Sequence, residues 1–225
     1  MVFSATSGKG ALASGPAASN IGGMKQDRRT VAAALAGLPF LGGAALAQTP
    51  PTRVVITTAV GAITLELYSD KAPITVANFL RYTDQKRFDG AEFYRTIKVP
   101  GLPQAGLLQG GCHGDPKRLL PPIAHESTDK TGLKHKVGTI SMPRTALGTA
   151  RGDFFICLED APWYDVNPIQ PGDNQGYAAF GQVVEGLDVV LKIQAMPVSP
   201  TEGADYGMAG QILDPPVKFV SVRRV

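Results

Sequence analysis

Residues 88–111 read FDGAEFYRTIKVPGLPQAGLLQGG, and the chemistry of the chain is placed here. The stretch opens on a turn signal, Asp89-Gly90, and runs into a short segment in which apolar and polar side chains alternate, the period-2 pattern of a half-buried strand. Arg95 lies inside it. Pro100, Gly101, Pro103 and Gly106 then mark a loop, and a second short apolar segment, Leu107-Leu108-Gln109, ends in Gly110-Gly111. An arginine and a glutamine are thereby set among aromatic and aliphatic neighbours.

Working outward, Arg53 to Ala59 and Ala62 to Tyr68 alternate around Val60-Gly61 and predict an antiparallel hairpin. Pro73 suits a first helical position, and Val76, Phe79, Leu80 and Thr83 recur at helical spacing, so a helix packs one face on a sheet. Downstream lies an irregular segment, Cys112 to Lys136, with Pro116, Pro121 and Pro122. Strand-like runs follow at Gly138 to Met142, Phe154 to Glu159 and Tyr177 to Val184, then a helix from Leu187 to Met196 halted by Pro197, then a closing strand from Val217 to Val225. With 225 residues, 44% hydrophobic content, 26 glycines and 18 prolines, the chain reads as an ordinary soluble globular type with one β-rich core. A closed antiparallel barrel capped by two helices satisfies this order, because closure removes exposed sheet edges.

The N-terminus stands apart. Residues 1–23, rich in Ala, Gly and Ser ahead of an internal Met24, read as an extension outside the fold, added by a mis-called start. Residues 24–47 carry Lys25, Arg28 and Arg29, an apolar run from Val31 to Leu46, and Ala45-Leu46-Ala47 before Gln48, the pattern of a signal peptide cleaved at Ala47-Gln48. Residues 48–225 then form the domain, delivered to the periplasm or cell envelope with no membrane span in the mature form. The Arg28-Arg29 pair points to twin-arginine export, with the ordinary Sec route as the alternative. Residues 1–47 hold Lys9, Lys25, Arg28 and Arg29 against Asp27, so the overall charge of +3 becomes zero beyond them, which speaks against nucleic-acid binding. Cys157 sits in the apolar run Phe154-Phe155-Ile156 and reads as a buried thiol, a bridge to Cys112 being what export leaves open.

Several chemistries are poorly supported. His113, His125 and His135 lack ligand-like spacing and read as loop histidines, so no metal is expected. No G-x-S-x-G turn offers a serine nucleophile. Gly110-Gly111 follows a strand and lacks the lysine of a phosphate loop, and no cofactor is expected. A small ligand in the barrel lumen would need small or polar inward residues, whereas the strands supply Ile, Leu, Val and Phe. A guanidinium beside apolar surface, with an amide nearby, is what remains.

FDGAEFYR, GLLQGG, GTISMPR, GDFFICLEDAPW and GYAAFGQVVEGLDVV, in this order and spacing, resemble the cyclophilins, the peptidyl-prolyl cis/trans isomerases, over about Val54 to Val225 and most closely the exported bacterial branch. The resemblance implies an eight-stranded antiparallel barrel with a helix at each end and a substrate groove on its outer wall. It implies Arg95 as the catalytic arginine and a proline pocket lined by Phe93, Leu107, Phe155 and Tyr164, with Met142 beneath. Gln109 would orient the substrate backbone, Pro143 and Arg144 would offer main-chain hydrogen bonds, and Trp163 would form the rim. Tyr177 stands where many members have histidine, and Asp153 replaces a glutamine, with an expected ion pair to Arg95. Proline-containing polypeptides are the implied partners of a monomeric enzyme. The competing reading is a proline-peptide receptor or holdase with little turnover.

Overall fold

The computed structural model describes residues 50–169 and 172–225. The extension and signal peptide expected over residues 1–47 lie outside the described residues. The fold begins with a hairpin of β1 (Thr52–Thr58) and β2 (Ala62–Leu67), paired from Thr52↔Leu67 to Thr57↔Ala62. Its alternation buries Val54, Ile56, Ile63 and Leu65 completely, as a strand with one wet face requires. Helix α1 (Pro73–Asp84) follows, then β3 (Glu92–Val99), β4 (Leu102–Gly111), a one-turn α2 (Thr128–Thr131), β5 (Thr139–Met142), β6 (Asp153–Cys157), β7 (Ala178–Glu185), α3 (Leu187–Gln194), β8 (Val198–Ser199) and β9 (Ile212–Arg224). The strands run in the order β1-β2-β7-β5-β6-β4-β3-β9, and β9 pairs again with β1. Eight antiparallel strands thus close a barrel, and two-residue β8 hangs on β9 outside the ring.

Side chains fill the lumen. Phe93, Phe154 and Phe219 meet edge-on or stacked with ring centroids 4.7–6.0 Å apart, and Phe79 of α1 closes on Phe88, Phe154 and Phe180 at 5.0–5.5 Å. Helix α3 turns Val190 and Ile193 into the same core. Among the described residues no helix is long and apolar enough to cross a membrane.

The β3–β4 pair departs from simple alternation at two places. Phe93 faces Gly110 and Arg95 faces Gln109, so two residues, Tyr94 and Arg95, stand against one. This β-bulge turns Phe93 into the lumen and Arg95 onto the outer wall, although the two are separated by two positions. Gly110 is needed opposite it, since a Cβ there would lie 2.7 Å from the Phe93 ring and 2.8 Å from the Glu92 carbonyl. The second departure corrects the expected loop between Val99 and Gly106. The pairing continues to Val99↔Leu102 around a tight Pro100-Gly101 turn, and the surplus residues bulge before Gly106.

The irregular segment 112–136 has structural work to do. The residue before α1, Ala72, offers no side-chain cap, and Glu126 supplies one from 52 positions away. Its carboxylate accepts from the Ile74 amide (3.0 Å), the Thr75 amide (2.7 Å) and the Thr75 hydroxyl (2.7 Å). Both cysteines are free, and burial pushes each thiol up to about 12. They belong to separate packing clusters, Cys112 to the lumen and Cys157 to the outer wall, so no bridge joins them. All three histidines lie in loops as expected, and His135 is buried within its loop, 1% exposed.

Glu126→Ala strands two helix-start amides behind Pro73 and should lower stability by about 2–3 kcal/mol, the scale for losing charge-assisted hydrogen bonds at a buried site. Urea unfolding midpoints measure this, with Glu126→Gln falling between the two.

Candidate active site

The bulge, the register and the pleat together bring one set of side chains to the outer wall. Arg95 pairs with Gln109, Gln109 with Phe155, and Phe155 with Ser141, a row that crosses four strands. One step along, Ile97 faces Leu107 and Leu107 faces Cys157. Period-2 geometry keeps these residues on one face, where Leu107, Phe155 and Cys157 form an apolar cluster distinct from the barrel core. The segment after β6 folds over it as a 3-10 turn, Pro162–Tyr164, and the chain entering β7 adds Tyr177. Phe155, Tyr164 and Tyr177 meet edge-to-face with centroids 5.4–5.5 Å apart.

These residues enclose a niche of about 100 Å³ lined by Arg95, Ile97, Leu107, Gln109, Pro143, Phe155, Tyr164 and Tyr177. Openings of about 350 and 380 Å³ flank it. The first shares Arg95, Gln109, Pro143 and Tyr177 with the niche and adds Arg144, Arg151 and Asp153. The second shares Tyr164 and Tyr177 and adds Trp163, which is 45% exposed at the rim.

Arg95 is held at both ends of its fork. Gln211 accepts from Nε (2.9 Å) and Nη2 (2.7 Å) through one carbonyl oxygen, and Gln109 accepts from Nη1 (3.0 Å). Gln109 is fixed in turn, its amide nitrogen donating to the Tyr94 hydroxyl at 2.6 Å. Burial drives the pKa of that phenol upward, so it stays a neutral partner. Three of the five guanidinium N–H groups are therefore engaged by described residues, and two remain to be offered.

Of the positions suggested by the sequence, Arg95, Leu107, Gln109, Pro143, Phe155, Tyr164 and Tyr177 come together, and Arg144, Asp153 and Trp163 border them. Phe93 and Met142 do not. Phe93 is fully buried among Phe154 and Phe219, turned inward by the bulge, and Met142 lies in the same lumen core because it follows outward-facing Ser141 in β5. The expected Asp153–Arg95 ion pair is also absent among the described contacts. Asp153 Oδ1 instead accepts from the His113 amide at 2.9 Å, and burial raises the carboxyl's pKa. The side chain of Arg144 contributes beyond its backbone: it donates to the Gly176 carbonyl (2.8 Å), pairs with Asp173, and lies over the Tyr177 ring at 5.7 Å. The Arg144 guanidinium holds the Asp173 carboxyl down at about 2.

Three residues of the site were missed. Ile97 was legible from alternation beyond Arg95, and Tyr94 became relevant only through the bulge. Gln211 had no sequence signal, because a lone glutamine 116 positions from Arg95 reads as loop.

A family model described as cyclophilin type peptidyl-prolyl cis-trans isomerase/CLD matches residues 53–213. A peptidyl-prolyl cis-trans isomerase of Acinetobacter baylyi is 35% identical over 199 residues, spanning 87% of this chain and 95% of that protein. Peptidyl-prolyl cis-trans isomerase A of Dickeya dadantii is 38% identical over 152 residues, 66% of this chain and 74% of its own. Among solved structures, a cyclophilin of Cryptosporidium parvum superposes with a TM-score of 0.59 at 19% identity, covering 78% of this chain and 98% of that one, a likeness of fold. A second crystal structure of that protein was determined in the presence of the dipeptide Ala-Pro. By sequence and fold alike, this chain belongs to the cyclophilin-type peptidyl-prolyl cis-trans isomerases.

Proposed function

We propose that this isomerase works by donating from the held fork of Arg95 to the nitrogen of a bound proline while the aromatic niche grips the pyrrolidine ring. Rotation about an X–Pro amide faces a barrier of about 18–20 kcal/mol because the planar group must lose its resonance. No bond breaks. In the twisted state the proline nitrogen becomes pyramidal and gains a lone pair that can accept a hydrogen bond, which the planar amide lacks. A donor that meets that lone pair lowers the barrier, whereas contacts made equally to both planar isomers only bind.

The observation that carries this reading is the double clamp on Arg95. With Gln211 on one side and Gln109 on the other, the charged donor lines the niche in a fixed pose and needs no reorganisation as the amide twists. The niche has room for a proline ring, and the openings on either side accommodate the residues that precede and follow it. The Ala-Pro dipeptide used with the Cryptosporidium relative is of this class. Proline-containing polypeptides are the substrates, taken by a monomer that uses no cofactor.

The basic and apolar run ahead of Gln48 supports a second part of the proposal: the enzyme is exported to the periplasm or cell envelope and speeds folding steps there that proline otherwise holds to tens of seconds.

Arg95→Ala should lower kcat/KM for a proline tetrapeptide by about 10²–10³-fold, the loss seen when one preorganised donor is removed. A wild-type protein that binds such peptides without accelerating their isomerisation would overturn the mechanism. Gln211→Ala frees two N–H groups of the fork and should cost about tenfold in the same assay, carried mostly by kcat. N-terminal sequencing of protein recovered from the producing cell should begin at Gln48; a mature chain that retains residues 24–47 refutes the export reading.

A further inference from the structure

Behind the niche lies a buried polar set that the proposed reaction does not use. His135 is 1% exposed and both its ring nitrogens are engaged: Nδ1 lies 2.7 Å from Asp165 Oδ1 and Nε2 lies 2.8 Å from Ser141 Oγ, itself fully buried. A carboxylate only accepts, so Nδ1 carries the proton. Nε2 of the neutral ring then accepts from the Ser141 hydroxyl. Burial favours this neutral form, opposing the pull of Asp165. Carboxylate, imidazole and hydroxyl stand in the order of an acyl-transfer triad, but Ser141 sits sealed inside β5 and no substrate reaches it.

The ring's neighbours show what the set does. His135 lies nearly parallel to Phe155, centroids 6.0 Å apart and planes 10° apart, and meets Tyr164 edge-on at 5.8 Å. Phe155 belongs to the barrel wall, whereas Tyr164 belongs to the turn folded over it. The imidazole is therefore the piece between wall and turn. Hydrogen bonds at both nitrogens forbid its rotation, and through Ser141 the clamp reaches the strand position facing Phe155.

We propose that His135 is a positioning residue of the isomerase: clamped between Asp165 and Ser141, its ring sets Phe155 and Tyr164 at the spacing that grips the proline ring. The inference rests on the niche being the proline site. It also fixes where the effect must appear. The pyrrolidine ring is held in both planar and twisted states, so loosening the niche weakens binding uniformly and raises KM, while the Arg95 fork and hence kcat are spared.

His135→Phe keeps a ring and removes both hydrogen bonds. Backbone ties at this position, His135 N to Asp165 Oδ1 (3.1 Å) and Ala161 N to His135 O (2.9 Å), do not depend on the side chain. The variant should raise KM for a proline tetrapeptide about five- to tenfold with kcat within about twofold of wild type. His135→Gln, whose amide can donate to Asp165 and accept from Ser141, should recover most of the loss. An unchanged KM, a loss confined to kcat, or a glutamine variant no better than phenylalanine overturns the proposal. If neither variant folds, ¹⁵N spectra of the wild-type imidazole at pH 7 decide it: a neutral ring protonated on Nδ1 supports the clamp, and a charged ring or the Nε2-protonated form overturns it. Arg95→Ala, measured alongside, separates the two ideas, since failure of the arginine mechanism appears as an unchanged kcat in that variant and leaves the KM result for His135 standing.

Discussion

One surplus residue in β3 governs both faces of this molecule. A strand that kept strict alternation would send Phe93 and Arg95 to the same side, and either the lumen would lose a ring or the outer wall would lose its cation. The bulge at Tyr94 resolves this by moving the register one step between Gly110 and Gln109. Phe93 then closes against Phe154 and Phe219 inside, and Arg95 emerges outside between two glutamine carbonyls. The displaced Tyr94 is not wasted, because its hydroxyl fixes the amide of Gln109. Bulges re-aim single side chains at the rims of sheets in this way, and here the re-aimed group is the one on which the proposed chemistry turns.

The outer wall shows how little cavity such a site requires. Its niche of about 100 Å³ is built from side chains that are immobilised by one another: three aromatic rings in mutual edge-to-face contact, an arginine tied at three of its N–H groups, and a glutamine tied at both ends of its amide. Rotamer freedom lost in folding is not lost again on binding, which favours a rigid pocket for a small, stiff ring such as pyrrolidine. Arg144 extends the same logic to the segment before β7, fastening it through Asp173 and the Gly176 carbonyl.

Alternation and turn signals made the hairpin, both long helices and most strands legible, because those features depend on neighbours in sequence. The five motifs located Arg95, Gln109 and Phe155 on one wall. What escaped depends on partners remote in the chain. Glu126 caps a helix that began 53 residues earlier, Gln211 reaches back across 116 positions, and His135 is buried only because Asp165 and Ser141 meet it. Asp153 illustrates the opposite error. Its place at a family glutamine near the arginine suggested an ion pair with Arg95, but the backbone amide of His113 claims the carboxylate, and two neutral glutamines take the guanidinium. Phe93, assigned to the pocket by the resemblance, is carried into the lumen by a bulge that the order of the motifs does not reveal.

The ring of strands is sealed by its two extremes, β1 against β9, with Val54 facing Arg224 and Ile56 facing Val222. During synthesis the first hairpin leaves the ribosome long before its outer partner has been made. Until β9 emerges, β1 keeps an unpaired edge and the lumen stands open along one seam. A nascent chain of this topology stays unsealed until β9 has emerged, so completion of the barrel waits on that strand rather than on the arrival of the motifs that form its outer wall.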